Sequence, residues 1–402
     1  MIPSKIRTLL PYAVVVFLGY VGFSLPLPVL PEIFLDSKRS ILPASFSIQF
    51  KTILLGLVLA AYPAGQLLGS PLLGLLSDRC GRKKVVLYSL LSTALGYTIT
   101  ALATSASSVI GIFGGLFLCG LSEGNVTIAQ AVIGDISHQD EKVAHFGWVN
   151  LFSCVAFIIG PLLGGFLSDP QNHPLFTFAT PFWLGVVLSL AAMMVIGFFS
   201  SETKKQTPGS RNFIQGMKDQ FALPLLRRFY LANFLLYFGL YSFWNCIGIF
   251  LQRRFDFSTT GIAYVMAYNS LFFALGLLFI VHPLAKKIKP NITTGWGAIV
   301  LAGLLVILVL PDIPQALYLT VPPLGILISI LMTNAAVMVS DAAHPERQGQ
   351  ALGTLQSVQV LSGMCVGILG GLLAALKPQF PLLAGAVMAT FCAFTLLRRR
   401  YG

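Results

Sequence analysis

TILLGLVLAAYPAGQLLGSPLLGLLSDRCGRKKVVLYSLLSTALGYTITALATS, residues 52–105, is two apolar stretches parted by a short, strongly charged turn. A helix needs roughly 20 apolar residues to cross about 30 Å of hydrocarbon, and each stretch is long enough. Charge is confined to the turn, where Asp78, Arg79, Arg82, Lys83 and Lys84 crowd together. This pattern reads as two membrane helices joined by a tight polar hairpin.

The same alternation fills the chain. Apolar runs lie near 10–34, 52–75, 85–105, 109–134, 145–168 and 179–200, and again near 229–251, 259–282, 291–311, 315–340, 350–376 and 380–397. A polar segment, 201–226, separates the two sets of six. The first run follows a charged start, as a signal peptide does, but continues to about Phe34 without a small-residue cleavage site, so a spanning helix is expected. Hydrophobic types make up 56% of the 402 residues and charged types 10%, with mean hydropathy +0.82. A soluble domain carries about 25% charged residues, so this chain cannot clothe itself in a polar surface.

The formal charge is +12, from 26 basic and 14 acidic residues. A basic balance also occurs in nucleic-acid binders, but here the charges sit in short gaps between apolar runs. With a cytoplasmic N-terminus, only Lys38, Arg39, Lys51, Arg253, Arg254 and Lys377 fall outside, and the other 20 basic residues fall inside. Cytoplasmic loops carry such an excess of Lys and Arg. The expectation is an all-α, multi-pass protein of the inner (cytoplasmic) membrane, with twelve spans and both termini cytoplasmic. Its domains are expected to be 1–200, a cytoplasmic linker 201–226 with a short surface helix near 211–221, and 227–402. Lipid is its partner; nucleic acid is not.

The six cysteines are scattered, with no metal-ligand spacing, and the five histidines lie in or near loops. No phosphate-binding glycine loop, HExxH or G-x-S-x-G occurs. Neither metal nor cofactor is expected, and no enzyme activity. A membrane sensor is the remote alternative in another class.

The turn GLLSDRCGRKKVVL, Gly74 to Leu87, resembles the cytoplasmic loop signature of the major facilitator superfamily, G-x-L-x-D-R-x-G-R-K. Gly74, Leu76, Asp78, Arg79, Gly81, Arg82 and Lys83 all fall in place. A generic basic loop explains Arg82 and Lys83 but not Asp78 or the glycines. Gly81 permits a tight reversal. Asp78 suits the positive end of a neighbouring helix, and Arg79 and Arg82 are expected to pair with acids such as Asp135 or Glu141. The resemblance implies a gate on the cytoplasmic side. The matching loop of the second half, HPLAKKIKP up to Pro290, keeps only the basic charge.

In the fifth run, GWVNLFSCVAFIIGPLLGG resembles the ending of the antiporter motif of drug:proton antiporters at Gly160, Pro161, Gly164 and Gly165, with Ala156 where that pattern has glycine. Small residues let helices pack closely and Pro161 bends the helix. Ser201-Glu202-Thr203 resembles the acidic tag after span six in tetracycline-efflux-like members. The resemblance implies two six-helix bundles, a small-molecule substrate, protons as coupling ion and a monomer.

Within the runs, Glu123 stands out as the ionisable group near mid-span, in FLCGLSEGNVTIAQAVIGD. A charge at the bilayer centre costs roughly 2.5–3.5 kcal/mol on insertion scales, and such residues mark functional sites. Helical spacing places Thr127 and Gln130 on its face. Span four is expected to line the central cavity in this family, so Glu123 is a candidate for proton coupling or substrate binding. One departure stands out. Drug:proton antiporters carry an Arg in span four, and here Leu116 stands at or near that place. Span seven offers Asn233, Tyr237, Tyr241 and Trp244 along one face, an aromatic and polar surface suited to amphipathic ligands. Tyr20, Tyr268, Asn269, Asn334 and Gln356 complete the cavity candidates, with Tyr62, Gln66 and Gln359 as further polar points. The functions open at this stage are proton-coupled efflux of amphipathic compounds and, as the alternative, carriage of one metabolite or siderophore.

Overall fold

The structure is a computed structural model describing residues 4–136, 142–200, 202, 213–344 and 347–398. Among these the regular structure is helical throughout, without strands. The helices are α1 (Ser4–Ser24), α2 (Val29–Leu35), α3 (Ile48–Cys80), α4 (Arg82–Ser105), α5 (Val109–Ser122), α6 (Gly124–Ile136), α7 (Lys142–Ser168), α8 (Thr180–Phe199), α9 (Phe213–Ala222) and α10 (Pro224–Phe255). They continue with α11 (Thr259–Gly276), α12 (His282–Ala285), α13 (Pro290–Val309), α14 (Leu317–Ala342), α15 (Gln348–Leu376) and α16 (Phe380–Leu397).

In hydrocarbon every backbone polar group must bond within its own segment, which is why these runs are helices. Eleven of the spans are long and apolar enough to cross a membrane among the described residues. The remaining expected run is α7, whose described apolar part is Phe152–Ser168. The first run is α1 and α2 together, and the fourth is α5 and α6 together.

The chain groups into two compact units. The first holds Met1–Phe46, Leu57–Ser210 and Ser258–Ala267. Its core joins Tyr12, Val15 and Val16 of α1, Val85, Val86 and Leu90 of α4, Val126, Ile128, Ala129, Val132 and Ile133 of α6, and Ala192 and Ile196 of α8. Glycines set its closest crossings. A Cβ on Gly96 would lie 2.8 Å from the Gly115 carbonyl oxygen, so α4 and α5 meet backbone to backbone.

The second unit holds Ser47–Gly56, Arg211–Phe257 and Tyr268–Gly402. Here α10 packs on α15 and α16, and α13 on α14 and α16. The short helix expected in the linker is α9. It does not lie free: Gln220 is buried, and Phe221 packs on Tyr230 of α10 at 5.0 Å. Ser47 and the first turns of α3, up to Gly56, group with this unit, and Gly56 backs onto Gly371 of α15, where a Cβ on Gly371 would lie 2.6 Å from the Gly56 Cα.

Candidate functional site

Glu123 sits at a break. Its N–H bonds back to the Gly120 carbonyl at 3.0 Å, a tightened turn, and α6 restarts at Gly124. Glycines on both sides explain the break and its use. A Cβ on Gly120 would collide with the Tyr62 carbonyl of α3, and one on Gly124 would lie 2.7 Å from the Leu73 side chain. Their absence lets α3 press against the junction, so the Tyr62 hydroxyl donates to the Glu123 carboxylate. Phe23 of α1 packs edge-on to the Tyr62 ring at 5.1 Å.

The Glu123 carboxyl is buried and faces a cavity of about 20 Å³ inside the first unit. Leu18, Gly19 and Gly22 of α1, Tyr97 of α4, Asn125 of α6 and Ser189 of α8 are among its lining residues. Among the described residues, no lysine, arginine or histidine lines it. Thr127 and Gln130, the residues expected beside Glu123, have side chains outside the described set.

At the signature loop, α3 ends at Cys80 and α4 begins at Arg82, with Gly81 between them at φ +96°. The loop is fixed from a distance. The Glu202 carboxylate accepts the backbone N–H groups of Arg82 at 2.8 Å and Lys83 at 3.2 Å, satisfying orphan donors of the first turn of α4. Lys83 Nζ in turn donates to the Gly197 and Ser200 carbonyls at 2.9 and 2.6 Å, at the end of α8. Each helix terminus thus receives the charge its dipole favours. Arg82 is buried, Arg79 is exposed and Gly74 faces open space. The side chains of Asp78 and Asp135, and the whole of Glu141, lie outside the described residues.

The small residues of α7 face two ways. A Cβ on Gly160 would lie 2.9 Å from the Val21 carbonyl, and one on Gly164 would collide with the Leu25 carbonyl, both at the end of α1. Gly165 faces the start of α11, where a Cβ would lie 3.1 Å from the Thr259 carbonyl. Pro161 is an interior residue of α7.

In the second unit the span-seven residues form a ladder on α10. Tyr237 and Tyr241 rings lie 5.9 Å apart, and Tyr241 and Trp244 rings 6.1 Å apart. Asn233 is fully buried and donates to the Phe229 carbonyl of its own helix at 2.9 Å. Asn269 and Asn334 are buried too. Two candidates lie elsewhere: Tyr268 packs on Tyr318 and donates to its carbonyl at 3.3 Å, and Gln356 is exposed. Tyr20 belongs to the first unit, its ring tilted against Phe157 at 5.3 Å.

Reading the sequence missed a second buried acid. Glu32 of α2 accepts the Thr259 N–H at 2.5 Å and the Thr259 hydroxyl, and pairs with Arg39 Nη1 at 2.8 Å. Arg39 also donates to the Ser168 carbonyl at 2.8 Å, approaches Asp169 at 3.9 Å and lies 4.3 Å over the Phe178 ring. Thr260 donates to Asp169 at 3.3 Å. The available signal was an acid flanked by apolar residues in PLPVLPEIFLD, with Arg39 one turn beyond that segment.

The profile of the Major Facilitator Superfamily matches this chain over residues 12–314 and 229–402. The chain is 28% identical over 408 aligned residues to multidrug resistance protein 2 of Bacillus subtilis (strain 168), covering 95% of this chain and 92% of that protein. It is 26% identical over 295 residues to the class B tetracycline resistance protein of Escherichia coli, covering 71% of this chain and 66% of that one. The crystal structure of the human organic anion transporter MFSD10 (TETRAN) shares the fold, with a TM-score of 0.74 at 19% identity over 98% of this chain and 100% of that one. A profile spanning most of the sequence, an all-helical fold and apolar helices of membrane length agree: this chain belongs to the Major Facilitator Superfamily and is a multi-pass membrane transporter, not an enzyme.

Proposed function

We propose that this transporter is a proton-coupled exporter of amphipathic small organic compounds. It works by alternating access in the inner membrane, with both termini cytoplasmic. The observation that carries the reading is Glu123, a buried carboxyl inside the helical bundle that accepts from the Tyr62 hydroxyl. A carboxylate at that depth is costly, and taking up a proton removes the charge. A group that exchanges a proton at mid-span is what coupling to a proton gradient requires.

The export direction rests on the resistance proteins among the relatives and on the resemblance of Gly160, Pro161, Gly164 and Gly165 to the antiporter motif. The aromatic ladder of Tyr237, Tyr241 and Trp244 suits an amphipathic ligand. The Glu202 and Lys83 capping makes the Gly81 turn a rigid element fit for a cytoplasmic gate.

The test is accumulation of a fluorescent cationic dye in cells with and without the protein. Lower accumulation with the protein, abolished by a protonophore, is expected. Glu123→Gln should abolish uphill export while membrane levels stay normal. Higher accumulation with the protein that a protonophore removes would overturn the export direction. Wild-type proton dependence in Glu123→Gln would overturn the role of Glu123. A second reading, carriage of one metabolite, is favoured by the Leu at position 116 where drug:proton antiporters carry Arg. Competition by a single solute, with no effect of unrelated dyes, would establish it.

A further inference from the structure

Several cations of this chain are tied to the chain itself. Lys83 donates to the Gly197 and Ser200 carbonyls, and Arg39 pairs with Glu32. Arg228 donates to the Thr395, Leu396 and Arg398 carbonyls at the end of α16, Arg253 donates to the Ala374 carbonyl, and Arg254 pairs with Asp312. Lys286, Lys287 and Lys289, between α12 and α13 of the second unit, do none of this. All three are exposed, and among the described residues none of them is in an ion pair. His282, one turn before them, is exposed as well. No Asp or Glu occurs between Asp256 and Asp312. Positive charge is therefore concentrated here and faces outward.

The surface beside these lysines is apolar. A π-helical turn, Leu277–Val281, joins α11 to α12. Pro283 has no N–H for the carbonyl four residues back, that of Phe279, and a widened turn accommodates the loss. Leu278, Phe279 and Ile280 are all exposed there, Phe279 at 68%. On the far side of the lysines, Ile292 and Trp296 of α13 are exposed, Trp296 at 61%. The π-helical turn and α13 both pack on α14. Phe279 precedes Lys286 by seven residues and Trp296 follows Lys289 by seven, so helical rise sets each ring about 10 Å deeper in the bilayer than the charges. A cationic rim over an aromatic and aliphatic wall matches the polarity of a phospholipid, with the phosphate at the lysines and the chains along the rings. A soluble polyanion fits the rim alone and has no use for the wall.

We propose that Lys286, Lys287 and Lys289 bind the headgroup phosphate of an anionic phospholipid whose acyl chains lie against Phe279, Ile292 and Trp296. A lipid of net negative charge is selected, because a zwitterionic headgroup brings a cation of its own to the lysines. The site goes beyond the transport reading: it needs neither Glu123 nor a coupling ion, and binding does not depend on which leaflet this end of the unit meets.

The experiment uses the purified full-length protein, stripped of lipid in detergent and titrated with phosphatidylglycerol or with phosphatidylcholine of the same acyl chains. Native mass spectrometry counts the bound lipids. One phosphatidylglycerol is expected to bind at least tenfold more tightly than phosphatidylcholine. That preference should vanish in Lys286→Gln/Lys287→Gln/Lys289→Gln and persist in Lys38→Gln/Lys377→Gln, which removes exposed cations elsewhere. Trp296→Ala should weaken phosphatidylglycerol binding severalfold. Equal affinity for the two lipids, a wild-type preference in the triple variant, or loss of the preference in the control variant overturns the site. Release of the lipid by millimolar inorganic phosphate, with Trp296→Ala binding as wild type, shows a free-phosphate site and overturns the lipid. If the triple variant does not fold, Lys287→Glu decides: its preference must fall at least threefold, and an unchanged preference overturns the site.

Discussion

Glu32→Gln is the sharpest probe of how the first unit is held together, because three donors converge on one carboxylate. Arg39 Nη1 at 2.8 Å, the Thr259 N–H at 2.5 Å and the Thr259 hydroxyl all point at it, and its side chain is 6% exposed. The amide keeps one oxygen, enough for the Thr259 N–H. Its NH2 group then meets either Arg39 or the Thr259 hydroxyl, and Arg39 loses its anion. Breaking a fully buried pair costs about 3–5 kcal/mol. Arg39 is 32% exposed and retains the Ser168 carbonyl and the Phe178 ring, so water and the remaining partners take up part of the loss. A net cost of about 1–2 kcal/mol follows.

At roughly 2–4 °C per kcal/mol for a cooperative unit of a couple of hundred residues, the apparent melting temperature should fall by about 2–8 °C. Thermal unfolding of the detergent-solubilised protein, followed by intrinsic fluorescence, measures it. Thr259→Val removes the hydroxyl donor, and the double variant should fall less than the sum of the two singles, because the groups share one acceptor. Asp312→Asn is the control. It removes the partner of Arg254 at a side chain 93% exposed, where ion pairs contribute little, so no shift is expected. An unshifted transition in Glu32→Gln, or a shift equal to that of the control, would refute the claim that this cluster secures the start of α11.

Two further perturbations follow from the same geometry. Gly81→Ala places a Cβ 2.6 Å from Glu202 Oε2 at φ +96° and ψ 142°, a backbone region that costs a non-glycine residue about 1–3 kcal/mol, and it displaces the cap of α4. Glu202→Ala alone should cost about 0.5–2 kcal/mol as a lost cap. Combined, they should lower stability by less than their sum, and full additivity in denaturation would contradict the shared contact. Gly22→Ala forces the Tyr97 hydroxyl away, yet the ring is backed by Gly185, where a Cβ would lie 2.9 Å from it, so about 1–3 kcal/mol of overpacking is expected. Tyr97→Phe removes the clashing atom and should restore the stability of Gly22→Ala; failure to rescue would show that the clash lies elsewhere.

The membrane helices are legible in the sequence because lipid leaves the chain one economical solution, and long apolar runs cannot hide it. The signature turn is legible because Asp78 and the two glycines have no reason to recur in a merely basic loop. What holds that turn is not. Glu202 reaches Arg82 and Lys83 across 120 and 119 positions of sequence, a contact that only the packing of α4 on α8 creates. Glu32 reads as the flank of an apolar run until Thr259 is found above it.

The environment of Glu123 shows most clearly where periodicity misleads. The expected companions Thr127 and Gln130 follow from an unbroken helix, in which residues four and seven positions on share a face. The chain does not run unbroken through this point: α5 stops at Ser122, Glu123 turns on Gly120, and α6 starts afresh at Gly124. In an unbroken helix a residue two positions away faces the opposite side. After the break, Asn125 lines the same cavity as Glu123. The glycines that permit the break also admit Tyr62, so one local departure from regular helix brings the acid, its hydrogen-bond donor and an unpaired amide oxygen to one small space. A helical wheel cannot find that grouping, because its premise is the regularity that Glu123 interrupts.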